Sequence, residues 1–198
     1  MSDYSIHELQ GEAIEPWLDQ LGSLRIQVFR EFPYLYDGDQ EYERNYLKRY
    51  LKAKDALIVL IVDDESGVVG ATTCLPMSEE EEEFRKPFEA AGMDVNELFY
   101  FGESLLLPEW RGRGLGHEFF DHREAHARRL GYDAATFCAV DRAEDHPMRP
   151  GDYRPLDEFW QKRGYAKQDH LKARFPWKEL GAEEETEQTL TFWLRDWS

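Results

Sequence analysis

The stretch Leu105-Leu106-Leu107-Pro108-Glu109-Trp110-Arg111-Gly112-Arg113-Gly114-Leu115-Gly116 decides how this chain is read. An apolar run is halted by Pro108, three glycines alternate with other residues, and an amphipathic segment follows. This order predicts strand, turn, glycine loop and helix. Without Cβ atoms at 112, 114 and 116 the backbone can bend tightly and aim several N–H groups at one point, to which the following helix adds the positive end of its dipole. A diphosphate suits such a point.

Two other glycine loops fit less well. A P-loop needs Lys-Ser or Lys-Thr after its last glycine, whereas His117-Glu118 follows here, so the groups that hold Mg²⁺ and a terminal phosphate are missing. Nucleoside triphosphate hydrolysis is not expected. The dinucleotide fingerprint G-x-G-x-x-G is not matched by the G-x-G-x-G spacing of Gly112, Gly114 and Gly116, and the loop lies mid-chain behind several strand-like runs.

The chain has 198 residues and 41% hydrophobic content, enough for one sizeable core, so a single domain over 1–198 is expected. No run approaches the roughly eighteen apolar residues of a membrane span, and Met1-Ser2-Asp3-Tyr4 lacks the basic and apolar regions of a secretory signal. A cytoplasmic protein with no membrane partner is the expectation. Cys74 and Cys138 both fall within strand-like runs, which favours buried reduced thiols over a disulfide, and their separation lacks the paired spacing of a metal site. The net charge of −17 opposes phosphate neutralisation, so nucleic acid is excluded as a partner, and solubility is the general explanation of the acidity. The run Glu79–Glu83 reads as a solvated helix face or mobile loop.

Outward from the glycine loop, Leu98 to Leu107 is the strand that feeds it, and a helix continues from about Gly114 through Phe119, His122, His126 and Leu130 to a stop at Gly131. Upstream, Tyr4 to Leu9 forms a short strand, and Ile14, Trp17, Leu18, Leu21, Leu24, Val28 and Phe29 make one apolar helix face. Residues 32–38 break that pattern with aromatics in a loop, and Tyr42, Tyr46, Leu47 and Tyr50 resume helical spacing. These aromatics suit either an acceptor pocket or packing between helices. Leu57 to Val62 and Val68 to Leu75 form a hairpin about residues 63–67. Downstream come a strand at Ala134 to Val140, a short helix within Pro155–Tyr165, and strands at Tyr165 to Phe175 and Thr189 to Leu194 around the acidic loop 183–185.

The pattern Arg-x-x-Gly-x-Gly at Arg111, Gly114 and Gly116, with this order of elements, resembles the GNAT superfamily of acyl-CoA-dependent N-acetyltransferases. The resemblance covers nearly the whole chain and is strongest from Glu103 to Tyr165. It implies an α/β fold: a mixed, mostly antiparallel sheet of about seven strands flanked by helices, in which the parallel strands at 98–107 and 134–140 splay apart to hold coenzyme A. Backbone groups at Leu105, Leu106 and Leu107 would then pair with the pantetheine arm. The amides of Gly112, Arg113, Gly114, Leu115, Gly116 and His117 would take the diphosphate, with Arg111 and Arg113 adding charge. Acetyl-CoA is implied as cosubstrate and an amine-bearing acceptor as partner, while self-association as a homodimer stays open.

Acyl transfer from a thioester to an amine needs a base for the amine proton and an acid for the departing thiolate. Strand alternation puts Glu103, Leu105 and Leu107 on one face, and in the resembled family a glutamate near Glu103 serves as base. The bland alternative is a glutamate paired with an arginine. The family pattern Asn-x-x-Ala-x-x-Phe-Tyr-x-Lys-x-Gly-Phe is met here by Tyr153 to Tyr165, with Trp160 where the family has its tyrosine acid and Tyr153 where it has asparagine. Trp160 can donate one N–H but supplies no proton near neutral pH, so Tyr153 is the candidate acid, or else covers the coenzyme. The polar segment 141–152 suggests acceptor contact: His146 as a second base, and Arg142, Arg149 and Arg154 for an anionic group or for surface ion pairs. His117, His122 and His126 do not have the spacing of His-Glu-x-x-His, and no metal is expected. Cys138 reads as structural, leaving direct transfer as the route. The resemblance thus implies an N-acetyltransferase acting on a primary amine of a small molecule or protein. The competing reading is a non-catalytic acyl-CoA-binding module.

Overall fold

The computed structural model describes residues 4–197. Strands β1 (Tyr4–Leu9), β2 (Leu57–Asp63), β3 (Gly67–Pro76), β4 (Leu98–Leu106), β5 (Ala134–Val140), β6 (Ala166–Lys178) and β7 (Glu185–Asp196) form one sheet in the order β1-β2-β3-β4-β5-β7-β6. Every neighbouring pair is antiparallel except β4 and β5. The hairpin at 63–67 forms as expected: Asp63 Oδ2 accepts the Ser66 N–H at 2.9 Å, and Gly67 takes a positive φ of 76°.

Helices α1 (Leu18–Phe29), α2 (Gln40–Lys52) and α3 (Glu82–Ala90) lie on one face of the sheet, and α4 (Leu115–Arg129) lies on the other. A short α5 (Asp157–Lys162) packs its Phe159 and Trp160 against the α4 side. Covered on both faces, β2 is almost wholly apolar: Ile58 and Leu60 join Leu18, Leu21, Leu47 and Tyr50, while Leu57 and Val59 join Phe99, Phe101, Phe120 and Trp193. Helix α2 is fixed at its start by Asp39, whose side chain accepts the Tyr42 N–H at 2.9 Å, and it carries acidic residues in its first turn and basic ones in its last.

Two expectations need correction. The acidic run 79–83 is not uniformly solvated: Glu80 is buried and ion-paired with Arg49 at 2.5 Å, while Glu82 and Glu83 open α3, where the helix dipole favours negative charge. Burial opposes ionisation of Glu80 and raises its pKa, against the pull of Arg49. The last two strands run further than their apolar patterns suggest, because β6 and β7 pair with each other out to Lys178 and Glu185, beyond the reach of the core.

Among the described residues, no helix is long and apolar enough to cross a membrane, and no cluster of three His, Cys, Asp or Glu residues could hold a metal ion.

Candidate active site

β4 and β5 pair only over Leu98–Tyr100 and Ala134–Thr136. Beyond that point β4 continues along β3 and β5 continues along β7, so a gap opens between them. Aromatic packing props its β5 side. Phe137 lies 5.1 Å from Trp160, 5.1 Å from Tyr165 and 5.7 Å from Phe120 between ring centroids, and parallel to Trp193. Trp160 also meets Trp193 at 5.1 Å, so the residue at the family's tyrosine position is a packing element.

On the β4 side, the register against β3 slips between Thr72 and Cys74, which places Gly102 and Glu103 opposite Thr73 as a β-bulge. The bulged backbone is satisfied by side chains. The Glu103 carbonyl accepts from Thr72 Oγ1 at 2.6 Å and from Arg123 Nη1 at 3.5 Å, and the Glu103 N–H donates to Thr73 Oγ1 at 3.3 Å. Tyr50 in turn shares a hydrogen bond with Thr73 at 3.0 Å. Because of this extra residue, Leu98 and Tyr100 pack on the same face as Leu105, the face covered by α1 and α2. Glu103 turns to that face too and forms a buried ion pair with Arg25 of α1.

Arg25 also pairs with the fully buried Glu43 of α2, and its guanidinium lies 4.3 Å from the Tyr46 ring centre. Desolvation works to lower the Arg25 pKa, but the negative charges of Glu103 and Glu43 outweigh it and hold the guanidinium well above its ordinary value. Neither Arg25 nor Glu43 emerges from motif reading. The signal available was a charged residue inside each helix's apolar stripe, at 25 among Leu21, Leu24 and Val28, and at 43 among Tyr46, Leu47 and Tyr50.

The loop between α1 and α2 closes over this face. Arg142 staples it by donating to the carbonyls of Pro33 at 2.6 Å and Tyr34 at 3.1 Å while pairing with Glu179 at 2.5 Å, so Arg142 is committed to structure. Trp177 Nε1 donates to the same Tyr34 carbonyl at 3.0 Å. Phe32 meets Tyr153 at 4.7 Å and His146 at 5.6 Å, joining the loop to the 141–154 segment. The Tyr34 phenol is raised above its ordinary pKa, by desolvation first and then by its neighbours Cys138, Tyr153 and Glu103. Tyr153 is likewise raised by desolvation. Cys138 lies 3.2 Å from the Tyr100 hydroxyl, and burial pushes its thiol up to about 12, which suits a structural thiol better than a nucleophile.

At the far end of β4, the Leu107 N–H donates to the Val69 carbonyl at 3.0 Å. Antiparallel alternation then turns the Leu105 backbone toward β3 as well and leaves the Leu106 N–H and C=O facing the gap. The Leu106 carbonyl accepts from Arg111 Nε at 3.0 Å, and Arg111 Nη1 pairs with Glu31 at 2.8 Å. Arg113 lies over the Trp110 ring at 4.4 Å and donates to the Glu109 carbonyl at 3.0 Å. Gly112 and Gly114 have φ of 73° and 84°, and an added Cβ at either would meet nothing within 4 Å. Gly114 is the N-cap of α4 and offers no side-chain oxygen to the first-turn amides. Leu115 buries its side chain beside Trp110 and Phe119, so its amide alone faces the loop. The His117 N–H donates to the Gly114 carbonyl at 2.8 Å, and its ring rests on Phe159 at 4.8 Å.

These features bring Glu103, the Leu106 backbone and the glycine loop to one gap. A cleft of about 910 Å³, lined in part by Leu98, Tyr132 and Ala134, opens at the opposite, paired end of β4 and β5.

The whole chain superposes on solved acetyltransferase folds at low identity. The ribosomal-protein-alanine N-acetyltransferase from Brucella melitensis matches with a TM-score of 0.61 and 13% identity, covering 97% of this chain and 99% of that one. An N-acetyltransferase from Staphylococcus aureus Mu50 matches at 0.60 and 12%, covering both chains fully. The Salmonella typhimurium protein yncA, solved with its cofactor acetyl-CoA, matches at 0.57 and 12%, covering 98% of this chain and 94% of that one. No curated protein sequence matches. The family model described as acetyltransferase (GNAT) matches residues 23–150, well over half the sequence, and the chain belongs to that family.

Proposed function

We propose that this acetyltransferase moves an acetyl group from acetyl-CoA to the primary amine of a small molecule, with Glu103 taking the amine proton. The reading rests on one observation: the only stretch of β4 that leaves its parallel partner carries Glu103 at one end and runs into the glycine loop at the other. The residues fit the coenzyme. Gly112 and Gly114 leave open space where a side chain would stand, the Leu115 and Gly116 amides offer donors to a diphosphate whereas the His117 N–H is taken by the Gly114 carbonyl, and Leu106 presents strand hydrogen-bonding groups to an extended arm. Arg111 and Arg113 supply positive charge at the loop.

When bound, acetyl-CoA supplies the acetyl group as a reactive thioester. Glu103 accepts the proton that the amine must lose as its nitrogen forms the new amide bond, and Tyr153 is the proposed donor to the leaving sulfur. A small acceptor is favoured over a peptide because Phe32 meets both Tyr153 and His146, which joins the loop between α1 and α2 to the 141–154 segment beside the Glu103 face. The competing binding-module reading draws on Trp160, whose ring is spent on Phe137 and Trp193.

The test is turnover of acetyl-CoA across a panel of small amines and lysine peptides, with Glu103→Gln in parallel. Acetylation of a small amine by the parent and a fall of roughly 10²-fold or more in the variant are expected, with coenzyme binding retained. Coenzyme binding without turnover on any amine would establish the module instead. An equally active variant removes Glu103 as base.

A further inference from the structure

Arg25 serves two carboxylates at once. Its Nε pairs with Glu43 and its Nη1 with Glu103, while Tyr46 and Phe29 lie against the guanidinium at 4.3 and 5.1 Å. Glu43 has no exposure to solvent, and it reaches this depth because α1 carries Gly22 at the crossing, where a Cβ would come within 3.2 Å of the Glu43 Cβ. The Tyr36 phenol, from the loop between α1 and α2, is raised above its ordinary pKa by desolvation first and then by the Glu43 charge. A line of ion pairs therefore runs from Glu43 through Arg25 to Glu103.

A carboxylate with an arginine of its own is a poor proton acceptor, because proton uptake leaves the guanidinium without its counter-ion. Glu103 escapes that condition only if the Arg25 charge is divided. From α1 and α2 Glu103 is faced by Arg25, which holds Glu43 on its other edge, and by the phenols of Tyr46 and Tyr50, against whose rings Arg49 rests at 5.1 and 5.8 Å with Glu80 as its own partner; from the covering loop it is faced by Tyr34. Burial raises all three phenols and keeps them neutral. Arg123 acts from the opposite face of the sheet, through its hydrogen bond to the Glu103 carbonyl and through its charge. Cys138 on β5 and Tyr100 on β4 are neutral neighbours of the same face. Glu103 and Glu43 thus share the Arg25 cation, while Arg49 has Glu80 for its own counter-ion.

We infer that Glu43 is a positioning residue for the transfer reaction: it holds the Nε edge of Arg25 and takes up part of its charge, so that Glu103 stays aimed at the gap and able to accept the acceptor's proton. This rests on the reading of Glu103 as base. Charge, rather than shape, is what Glu43 supplies.

The experiment is a double-mutant cycle of Glu43→Gln and Glu103→Gln, measuring kcat, KM for both substrates and the pH profile of kcat/KM on one accepted amine. Thermal stabilisation by acetyl-CoA reports folding in each variant. Glu43→Gln should lower kcat by about tenfold and move the acidic limb of the profile to lower pH by about one unit, leaving the KM for acetyl-CoA unchanged. The loss should disappear in the Glu103→Gln background. Glu43→Asp keeps the charge and should leave the limb in place. A kcat loss that persists in the Glu103→Gln background, or one without displacement of the limb, makes Glu43 merely structural and overturns the inference. So does a limb displaced equally by Glu43→Asp and Glu43→Gln. If Glu103→Gln is itself fully active, the base assignment has failed; if that variant is inactive and Glu43→Gln is silent, only the role of Glu43 has.

Discussion

Gly102 sits under the hydroxyl pair that fixes the β4 bulge, and its replacement by alanine should be costly although its backbone is ordinary for any residue. A Cβ there would collide with Thr73 Oγ1 and stand 2.7 Å from the Tyr50 hydroxyl, and neither group has room to move: Tyr50 is fully buried and Thr73 is 1% exposed. Relief requires breaking the 3.0 Å hydrogen bond between them and loosening the Thr73 contact to the Glu103 N–H. Overpacking of this kind costs about 1–3 kcal/mol, and one buried hydroxyl left without its partner costs about 1–3 kcal/mol more. Gly102→Ala should therefore lose about 2–6 kcal/mol, a fall in Tm of roughly 4–24 °C for a chain of this size. Thermal and urea unfolding of Gly102→Ala, Thr73→Ala and the double variant check the argument, because removing the Thr73 hydroxyl makes the space that the methyl needs. The double variant should be more stable than the sum of the single losses implies. Gly102→Ala as stable as the parent, or strict additivity of the pair, would refute the collision and with it the account of the bulge.

Acetyl-CoA should raise the unfolding temperature of the parent, and Gly114→Glu should abolish that rise by putting a left-handed φ of 84° on a residue with a Cβ and a negative charge beside the diphosphate; unchanged coenzyme affinity in the folded variant removes the loop from the proposal. Tyr153→Phe should lower turnover with coenzyme affinity intact, and Trp160→Tyr should restore nothing because that ring is packed on Phe137 and Trp193; steady-state rates showing the reverse would reassign the acid. Stability should decline as the pH falls below about 6.5, where His126 gains a proton in the unfolded chain but not in the fold. Burial depresses the folded value, aided by the charge of Arg129 at 2.8 Å from Nδ1 and opposed by the Asp55 carbonyl at 2.8 Å from Nε2, so this contribution is present above the unfolded pKa and is lost down to the folded one. His126→Gln should flatten that part of the stability profile, and denaturant titrations at several pH values will show whether it does.

What the sequence disclosed was local. The turn at Gly67, the stop at Gly131 and the glycine loop each depend on a residue's own backbone freedom and its immediate neighbours, and each stands where the pattern puts it. Strand alternation puts Glu103 on the face of Leu105, and both turn to the α1–α2 side. The surroundings of Glu103 were hidden, because Arg25 and Glu43 reach it only when two distant helices are laid on the sheet, and a charge in an apolar stripe does not name its partner. An isolated Gly102 within a strand hinted at a bulge. Nothing local tells that the bulge carries Leu98 and Tyr100 to the Leu105 face. The acidic run 79–83 misled for the same reason: Glu80 looks like its neighbours until Arg49 is brought beside it.

The ring cluster of Phe137, Trp160 and Trp193 has an entropic consequence for the gap between β4 and β5. A slot that a ligand must pry open charges its binding energy for every side chain it orders, whereas here the rings that keep β5 away from β4 are immobilised by folding itself. An extended arm entering between Leu106 and β5 meets walls already at rest. Ordering on coenzyme binding is then concentrated in the exposed loop at 111–114, so amide hydrogen exchange should slow there and change little along β5.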